Sequence, residues 1–146
     1  MEIKVLGAAG EVGRSAFQVS CDGTNFLLDY GVMFGSPRGS PPTYPLHVKP
    51  RDIDSVIITH AHLDHSGCVP SLFVSGNCNV YATPPTFELS QLLIEDMLKI
   101  EKNSHSFGIP EVNNMMSRAK EIGFKQKVTR GNASFELRSS GHVLGG

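Results

Sequence analysis

Four side chains that can bind a metal fall within six consecutive residues, in the stretch His60-Ala61-His62-Leu63-Asp64-His65. Residues 55–58, just before this stretch, include the β-branched Val56, Ile57 and Ile58 in succession and predict a strand that is buried on both faces. Zinc and related divalent ions accept imidazole nitrogens and carboxylate oxygens, and a turn leaving a strand can direct several of them to one point. We therefore predict a metal site on a turn that the core holds in place.

Strand patterns come first along the chain, helical patterns follow, and strand patterns return at the end. With a hairpin turn at 22–24, the predicted strands cover residues 2–6, 15–21, 25–29, 55–58, 125–128 and 133–139. A first helix begins at Thr83 or Pro84, and its predicted core-facing side consists of Leu89, Leu92, Leu93, Met97 and Ile100. A second helix is predicted from Pro110 or Glu111 to Ile122, with Gly123 ending it. The length of 146 residues, 40% of them hydrophobic, is enough for one domain.

Two irregular segments lie between the predicted strands. The glycine-rich link at residues 7–14 lacks the lysine of a P-loop and the spacing of a dinucleotide fingerprint, so a tight turn is favoured over a phosphate site. Residues 30–50 hold five prolines without clear periodicity, which predicts a long irregular surface loop. Loops of that length are usually functional, so we expect this one to border the site.

Several other residues that can bind metals stand apart from the cluster. His47 and His105 lie in irregular, polar surroundings and are predicted to be solvent-exposed loop residues. Cys21, Cys68 and Cys78 include no Cys-x-x-Cys pair, so disulfide scaffolding and a thiolate zinc site are both disfavoured, and we predict reduced thiols. Cys68 lies close to the cluster, but packing is favoured over ligation.

The overall charge and hydropathy restrict the class of protein. The net charge is -1, so the totals do not indicate a nucleic acid or an anionic membrane as partner. No apolar stretch approaches the roughly 18 residues of a membrane span, and the amino terminus lacks a signal-peptide pattern. The sequence therefore predicts a soluble, intracellular protein of the cytoplasm that does not bind a membrane.

Several segments together carry a resemblance to a known family. His60-x-His62-x-Asp64-His65 followed by Gly67 resembles the metal-binding signature of the metallo-β-lactamase superfamily. Leu27-Leu28-Asp29-Tyr30-Gly31 resembles an earlier motif of that superfamily, and Gly141-His142-Val143-Leu144-Gly145 resembles its third. Within the superfamily, Gly10-Glu11-Val12-Gly13-Arg14-Ser15 and the Gly-His-Val-Leu-Gly form are similar to the β-CASP ribonucleases. The similarity is greatest to the cleavage and polyadenylation specificity factor endonucleases and their archaeal relatives.

The resemblance implies a role for each motif residue. The implied ligands of a first ion are His60, His62 and His142. The implied ligands of a second ion are Asp64 and His65. Asp29 would not bind an ion itself but would support the residues that do. Asp64 would also be a candidate general base, although binding a metal weakens a carboxylate as a base. The implied cofactor is zinc, with two ions in a complete enzyme, and iron or manganese fits the same donors.

The resemblance also implies a fold and an activity. Residues 1–146 would form the amino-terminal half of a metallo-β-lactamase αββα sandwich. This is an α/β fold with α+β-like layering, in which a mixed, mainly antiparallel sheet carries helices on one face. The implied activity is cleavage of RNA phosphodiester bonds by a metal-activated hydroxide, as an endonuclease or 5′–3′ exonuclease in RNA processing such as mRNA 3′-end formation. The glycine-rich link would then lie at the active-site face.

Complete members of the family have parts that residues 1–146 do not contain: a bridging aspartate, a late histidine, the β-CASP insertion and the second half of the sandwich. We therefore expect the fragment alone to be inactive, its uncovered sheet to favour self-association, and RNA and an RNA-processing complex to be partners of the longer protein. Two alternatives stay open. One is a hydrolase of thioesters or esters, because the ligands are shared across those chemistries. The other is a non-catalytic scaffold subunit, against which the intact ligand set argues.

Overall fold

The strand predicted ahead of the ligand cluster lies inside a six-stranded sheet. The computed structural model describes residues 1–35, 37, 40–101 and 104–146. The strands are β1 (Glu2–Gly7), β2 (Ala16–Cys21), β3 (Thr24–Tyr30), β4 (Ser55–Ile57), β5 (Asn79–Ala82), β6 (Ala119–Glu121), β7 (Lys127–Arg130) and β8 (Ala133–Glu136). The helices are α1 (Leu63–Ser66), α2 (Pro84–Ile100) and α3 (Ile109–Ser117), and two short 3-10 segments span Pro50–Asp52 and Val69–Val74.

The large sheet is mixed, as predicted. In its strand order β1-β2-β3-β4-β5-β6, the first two pairs are antiparallel and the last three are parallel. β7 and β8 form a separate antiparallel pair. Each antiparallel pair of strands contains four to six paired residues, whereas each parallel pair contains three, so within the described sheets the pairing is mixed and mainly antiparallel, as expected. Long connections, including α2 and α3, separate the parallel strands and permit their pairing.

Different elements cover the two faces of the sheet. On one face, Leu27 and Val56 lie side by side in neighbouring strands and are fully buried in the cluster that the helices complete. On the other face, Ile57 and Tyr81 are neighbours, and Phe135 of β8 packs on Tyr81 with ring centroids 5.2 Å apart. Successive side chains of a strand point to opposite faces, so coverage on both sides explains why the adjacent residues Val56 and Ile57 of β4 are both apolar.

The buried side of α2 differs from the predicted one. The side chains that α2 buries are Thr86, Phe87, Ser90, Ile94 and Met97. Of the predicted stripe only Met97 is among them, and Leu92 and Ile100 are 61% and 74% exposed. The predicted stripe was wrong because it followed the largest apolar residues, whereas small hydroxyl residues occupy much of the side that faces the fold.

The second predicted helix is correct near its start and wrong at its end. α3 ends at Ser117, and Ala119–Glu121 form β6, which pairs with β5. Ile122 is 3% exposed and packs on the sheet face that carries β7 and β8. The backbone of residues 119–121 thus bonds to the edge of the sheet instead of to another helical turn, so tertiary pairing overrides the local helical pattern. The short strand β5 was not predicted.

The predicted hairpin turn and irregular segment are both present. Asp22 and Gly23 have φ values of 49° and 81°, a combination suited to the tight turn between antiparallel strands. Between Tyr30, the last residue of β3, and Pro50, the described part of the irregular segment contains no helix or strand; residues 36, 38 and 39 lie outside the described residues. This segment is not wholly on the surface, because Val32 and Val48 are buried.

The residues that can bind metals but stand apart from the cluster in sequence also have defined positions. His47 is exposed, as predicted. Cys68 and Cys78 are buried, Cys21 is half-buried, and all three thiols are free. Among the described helices, none combines the length and apolar character needed to cross a membrane.

His105 is buried, which corrects its prediction as a solvent-exposed loop residue. Its side chain is only 1% exposed. The Tyr44 hydroxyl donates to the Ser104 carbonyl (2.9 Å), so it can only accept a hydrogen bond from His105 Nδ1, 2.8 Å away. The Nε2 atom lies 3.6 Å from a carboxylate oxygen of Glu101. Burial, partly offset by the Glu101 charge, lowers the pKa of His105. The ring thus lies between Tyr44 of the irregular segment and Glu101, the residue directly after α2.

This burial predicts a specific loss of stability in acid. The folded state disfavours the charged ring, so His105 takes up a proton more readily in the unfolded chain, whose histidine pKa is near 6.5. The unfolding free energy should therefore fall as the pH drops below about 6.5, until the lower pKa of the folded state is reached. In His105→Asn, which can keep a polar atom near the Tyr44 hydroxyl, this decrease in the unfolding free energy should be absent. Urea denaturation of both proteins at several pH values measures the difference, and a difference independent of pH would contradict the assignment.

Candidate metal centre

Three histidines from distant parts of the chain converge on one point. The ligand nitrogens of His60, His62 and His142 all lie within 4.8 Å of one another. The ring centroids of His60 and His142 are 5.1 Å apart, and those of His62 and His142 are 5.2 Å apart. The fold therefore brings the late histidine to the turn that follows β4. The role of the three side chains as metal ligands stays a prediction.

The turn that carries Asp64 is held by backbone hydrogen bonds to two neighbouring segments. The Ser15 N–H donates to the Asp64 carbonyl (2.8 Å), and the Val32 N–H donates to the Leu63 carbonyl (2.9 Å). α1 is only one helical turn long, too short to be stable alone. Its position therefore depends on the start of β2 and on the segment after β3.

Asp29 occupies a bulge in β3. Where β2 pairs with β3, Ala16 lies opposite Tyr30 and Phe17 lies opposite Leu28, which leaves Asp29 without a partner residue. Its φ is 57°, in the left-handed region that aspartate tolerates better than most residues. Bulges commonly redirect a side chain. Here the redirected carboxylate is buried, at 4% exposure, and faces the residues that follow β4.

Three donors satisfy the Asp29 carboxylate. The Thr59 N–H donates to Oδ1 (2.7 Å), the Thr59 hydroxyl donates to Oδ2 (2.8 Å), and His65 Nδ1 donates to Oδ2 (2.7 Å). A buried carboxylate needs such donors to remain charged. Thr59 was not singled out from the sequence. The signal that could have found it is a hydroxyl residue placed between a buried strand and the first ligand.

Thr59 also determines which nitrogen of His60 carries the proton. Since the Thr59 hydroxyl donates its only proton to Asp29, the Thr59 oxygen accepts from His60 Nδ1, 3.0 Å away. The unprotonated Nε2 is buried and has no hydrogen-bond partner among the described residues. Burial, and next the charge of His65, lower the pKa of His60. A neutral ring with an unused lone pair at the point of convergence fits a metal ion.

His65 and Asp64 lie beside the three histidines and offer a second pair of ligand atoms. The rings of His60 and His65 have centroids 4.1 Å apart, and His65 Nε2 lies 3.6 Å from Asp64 Oδ2. Burial works against a charged His65, but the hydrogen bond to Asp29 and the charges of Asp29 and Asp64 outweigh it and raise the pKa of His65. Because Asp29 accepts from Nδ1, the atom that faces Asp64 is Nε2.

Open grooves border the histidines on two sides. One, of about 490 Å³, lies beside His60 and His142 and has Phe124 and Arg138 in its wall. The other, of about 390 Å³, adjoins His62 and is lined mainly by apolar residues, including Val12, Gly13, Val32, Met33, Phe34, Leu63 and Leu93. The glycine-rich link and the irregular segment therefore both border the site, as the sequence predicted.

Cys68, the nearby thiol, does not join the cluster of ligands. It is buried in the core, where burial raises the pKa of the thiol to about 11, and its Sγ lies 3.3 Å from the Ser71 hydroxyl. A thiol in this state is a poor metal ligand, because ligation requires the thiolate. Packing is therefore the role that the structure assigns to Cys68, as predicted.

The sequence is similar to one family model and to curated proteins that include a named ribonuclease and a subunit of a cleavage and polyadenylation specificity factor. Residues 18–146 match the metallo-beta-lactamase superfamily domain. The chain is 32% identical over 144 residues to RNase aCSPSF2 of Saccharolobus solfataricus, a match that covers 98% of this chain and 29% of that protein. It is 33% identical over 145 residues to cleavage and polyadenylation specificity factor subunit 3-I of Arabidopsis thaliana, covering 96% of this chain and 21% of that protein. The chain thus spans less than a third of either relative.

The fold is similar to that of a solved metallo-beta-lactamase. MEM-A1, a subclass B3 enzyme isolated from a soil metagenome library, superposes with a TM-score of 0.64 at 16% sequence identity. The superposition covers 99% of this chain and 52% of that enzyme. At this identity the likeness shows the shared fold alone.

Substituting Gly31 should disturb the turn that carries Asp64. A Cβ atom at Gly31 would overlap the Asp64 carbonyl and crowd the backbone nitrogen of His65, 2.6 Å away. Because backbone atoms cannot rotate aside, we expect Gly31→Ala to lower the unfolding free energy by roughly 1–3 kcal/mol. Gly123→Ala is the control, since the nearest atom to its Cβ would be 3.8 Å away. Urea denaturation measures both, and equal stability of the two variants would contradict the close packing at Gly31.

Proposed function

The chain belongs to the metallo-β-lactamase superfamily, and on that premise we propose that it forms the metal-binding part of a hydrolase that cleaves RNA phosphodiester bonds. The observation that carries the proposal is the convergence of His60, His62 and His142, whose ligand nitrogens lie within 4.8 Å of one another. Within the described residues, the buried His60 Nε2 lacks a hydrogen-bond partner. Burying such an atom is unfavourable unless another group binds its lone pair.

We assign a first ion to these three histidines and a second, incompletely bound ion to Asp64 and His65. The donor set of neutral imidazoles and one carboxylate favours zinc, and iron or manganese would accept the same donors. The distance of 3.6 Å between His65 Nε2 and Asp64 Oδ2 suits two ligands of one ion.

The residues of this chain mainly orient the ligands. When bound, such ions supply Lewis acidity and a water of lowered pKa that can act as the nucleophile. Asp29 accepts directly from His65 and, through Thr59, from His60, so both rings keep the Nε2 lone pair for a metal. Asp64 is also a candidate general base, although a carboxylate that binds a metal is a weaker base than a free one.

Three observations support RNA as the substrate class. The relatives described above are named as a ribonuclease and as a subunit of a cleavage and polyadenylation factor. Grooves adjoin the histidines on two sides, so a polymer can lie across the site, whereas a small ester or thioester needs only one pocket. Phe124, in the wall of the larger groove, is 42% exposed and offers a surface on which a base can stack. We place this activity in RNA processing, within an RNA-processing complex.

We propose that residues 1–146 are the amino-terminal part of a larger catalytic domain and are inactive alone. The chain spans 29% of the Saccharolobus solfataricus relative and 21% of the Arabidopsis thaliana one. Asp64 and His65 are also fewer protein ligands than the three or more that a zinc ion usually has. A second ion held by these two residues alone would be weakly bound and poorly oriented.

Self-association of residues 1–146 is expected at the uncovered end of the sheet. β7 and β8 cover Ile57 and Tyr81, but Ile3 and Val5 of β1 are 59% and 46% exposed. β1 is also an edge strand, and exposed apolar edges pair readily with other chains. Light scattering at increasing protein concentration should show dimers or larger species, and Val5→Lys should reduce them. A monomer at all concentrations would contradict this expectation.

RNA cleavage tests the proposed function directly. We expect the full product of the gene that encodes residues 1–146, supplied with zinc, to cleave single-stranded RNA. His60→Ala removes a proposed ligand and should lower the rate of RNA cleavage at least about 100-fold. The reason is that loss of a residue that only orients a ligand already lowers metal affinity or activity about 10- to 100-fold. His47→Ala is the matched control, an exposed histidine outside the cluster. RNA labelled at either end distinguishes internal cleavage from 5′–3′ digestion.

Different results would contradict different parts of the proposal. Turnover of a thioester or ester without RNA cleavage would exclude RNA as the substrate class. RNA cleavage by residues 1–146 alone, abolished by His60→Ala, would contradict the incomplete second site. Metal binding by the full gene product without any hydrolysis would favour a scaffold subunit.

A further inference from the structure

The segment that carries His142 has no helix or strand to hold it. Residues 139–146 close on themselves through hydrogen bonds from the Ser140 N–H to the Gly146 carbonyl (3.1 Å) and from the Gly146 N–H to the Val143 carbonyl (3.0 Å). These internal bonds shape the loop but do not place it against the other two histidines. A contact with another part of the fold must therefore position His142.

That contact is made by two buried hydroxyl groups of α2 and the residue before it. The Thr83 and Thr86 hydroxyl oxygens lie 2.8 and 3.2 Å from the Gly145 carbonyl oxygen and 2.9 Å from each other. The two threonines are 4% and 0% exposed. Among the described residues, no other hydrogen bond joins residues 139–146 to earlier elements. A carbonyl oxygen has two lone pairs and can accept from both hydroxyls.

The sequence at the start of α2 makes these hydroxyls available. Thr83 is the residue directly before α2, where a threonine side chain commonly accepts from the free N–H groups of the first helical turn. Here its side chain makes no such bond. Pro84 and Pro85 occupy the first two helical positions and have no N–H group to satisfy. The Thr83 side chain is therefore not held against the first helical turn and can point towards Gly145, to which its hydroxyl donates.

The backbone conformation of Gly145 and its lack of a side chain both suit this contact. Its φ is 81°, in the region that favours glycine. A Cβ atom there would lie 2.6 Å from the Thr83 hydroxyl and 2.9 Å from the Thr86 hydroxyl. The close approach of its backbone to the two threonines thus requires the absence of a side chain.

We propose that Thr83 and Thr86 are positioning residues that hold His142 in the metal centre through the Gly145 carbonyl. The inference rests on the proposed assignment of His142 as a metal ligand. The side-chain hydrogen bonds described for the two threonines go to each other and to the Gly145 carbonyl, not to a histidine ring, so each acts through the backbone of the loop. Their loss should leave the loop intact but poorly placed, and partners that orient a metal ligand are typically worth 10- to 100-fold in affinity.

The test uses valine variants, which keep the shape of threonine and remove its hydroxyl. Thr83→Val and Thr86→Val should each weaken zinc binding by about tenfold, and the double variant more, in competition with a chromophoric chelator. Thr83→Ser, which keeps the hydroxyl, should restore most of the affinity. Ser90→Ala is the matched control, because it removes a buried hydroxyl of α2 that has no partner among the described residues. His142→Ala gives the affinity without the third ligand.

A second measurement, on the metal-free chain, separates positioning from general stability. Amide hydrogen exchange should become faster in residues 139–146 of the valine variants and remain unchanged in β3, β4 and β5. Exchange that rises throughout the sheet, or zinc affinity equal to that of the unaltered chain, would overturn the inference. Equal zinc affinity of the unaltered chain and His142→Ala would overturn the metal assignment and the inference together. If exchange were then faster only in residues 139–146, the threonines would hold the loop in place without contributing to metal binding.

Discussion

The buried carboxylate of Asp29 is the group on which the arrangement of the site depends. It accepts three hydrogen bonds, two from Thr59 and one from His65, and so ties β3 to the residues that follow β4. A carboxylate that is 4% exposed is tolerated only while such donors are present. The left-handed backbone at Asp29 is consistent with this need for donors. So is the protonation of His60 and His65 at Nδ1.

His142 reaches the same point by a different kind of interaction. Asp29 orients its neighbours through a charge, whereas the loop of His142 depends on neutral hydroxyls that bind a backbone carbonyl. Charge-assisted hydrogen bonds are roughly twice as strong as neutral ones. The glycines of the loop, with φ values of 70° at Gly141 and 81° at Gly145, also permit more backbone freedom than other residues. Of the three histidines that converge, His142 is therefore the one whose position the fold determines least firmly.

The parts of the fold that sequence could predict are those in which local pattern and tertiary contacts agree. Residues 56–58 are apolar because both faces of β4 are covered, and the run at 55–58 was recognised as a buried strand. Residues within 60–65 were predicted to be metal ligands from residue type and spacing, but the same prediction for His142 required the resemblance, since no local signal reports a contact with a distant loop. β6 was missed because pairing with a sheet edge replaced a helical turn. His105 was missed because its burial depends on Tyr44, far along the chain.

The parallel pairing of β3, β4 and β5 has a further consequence. Parallel strands end at the same border of a sheet, so Asp29, His60 and Thr83 come from three successive strand ends on one side of the molecule. The connections at that border can change in length or composition without disturbing the strands that support them. Divergence in substrate preference among proteins with this architecture should thus be concentrated in those connections, while the opposite border changes with little functional effect.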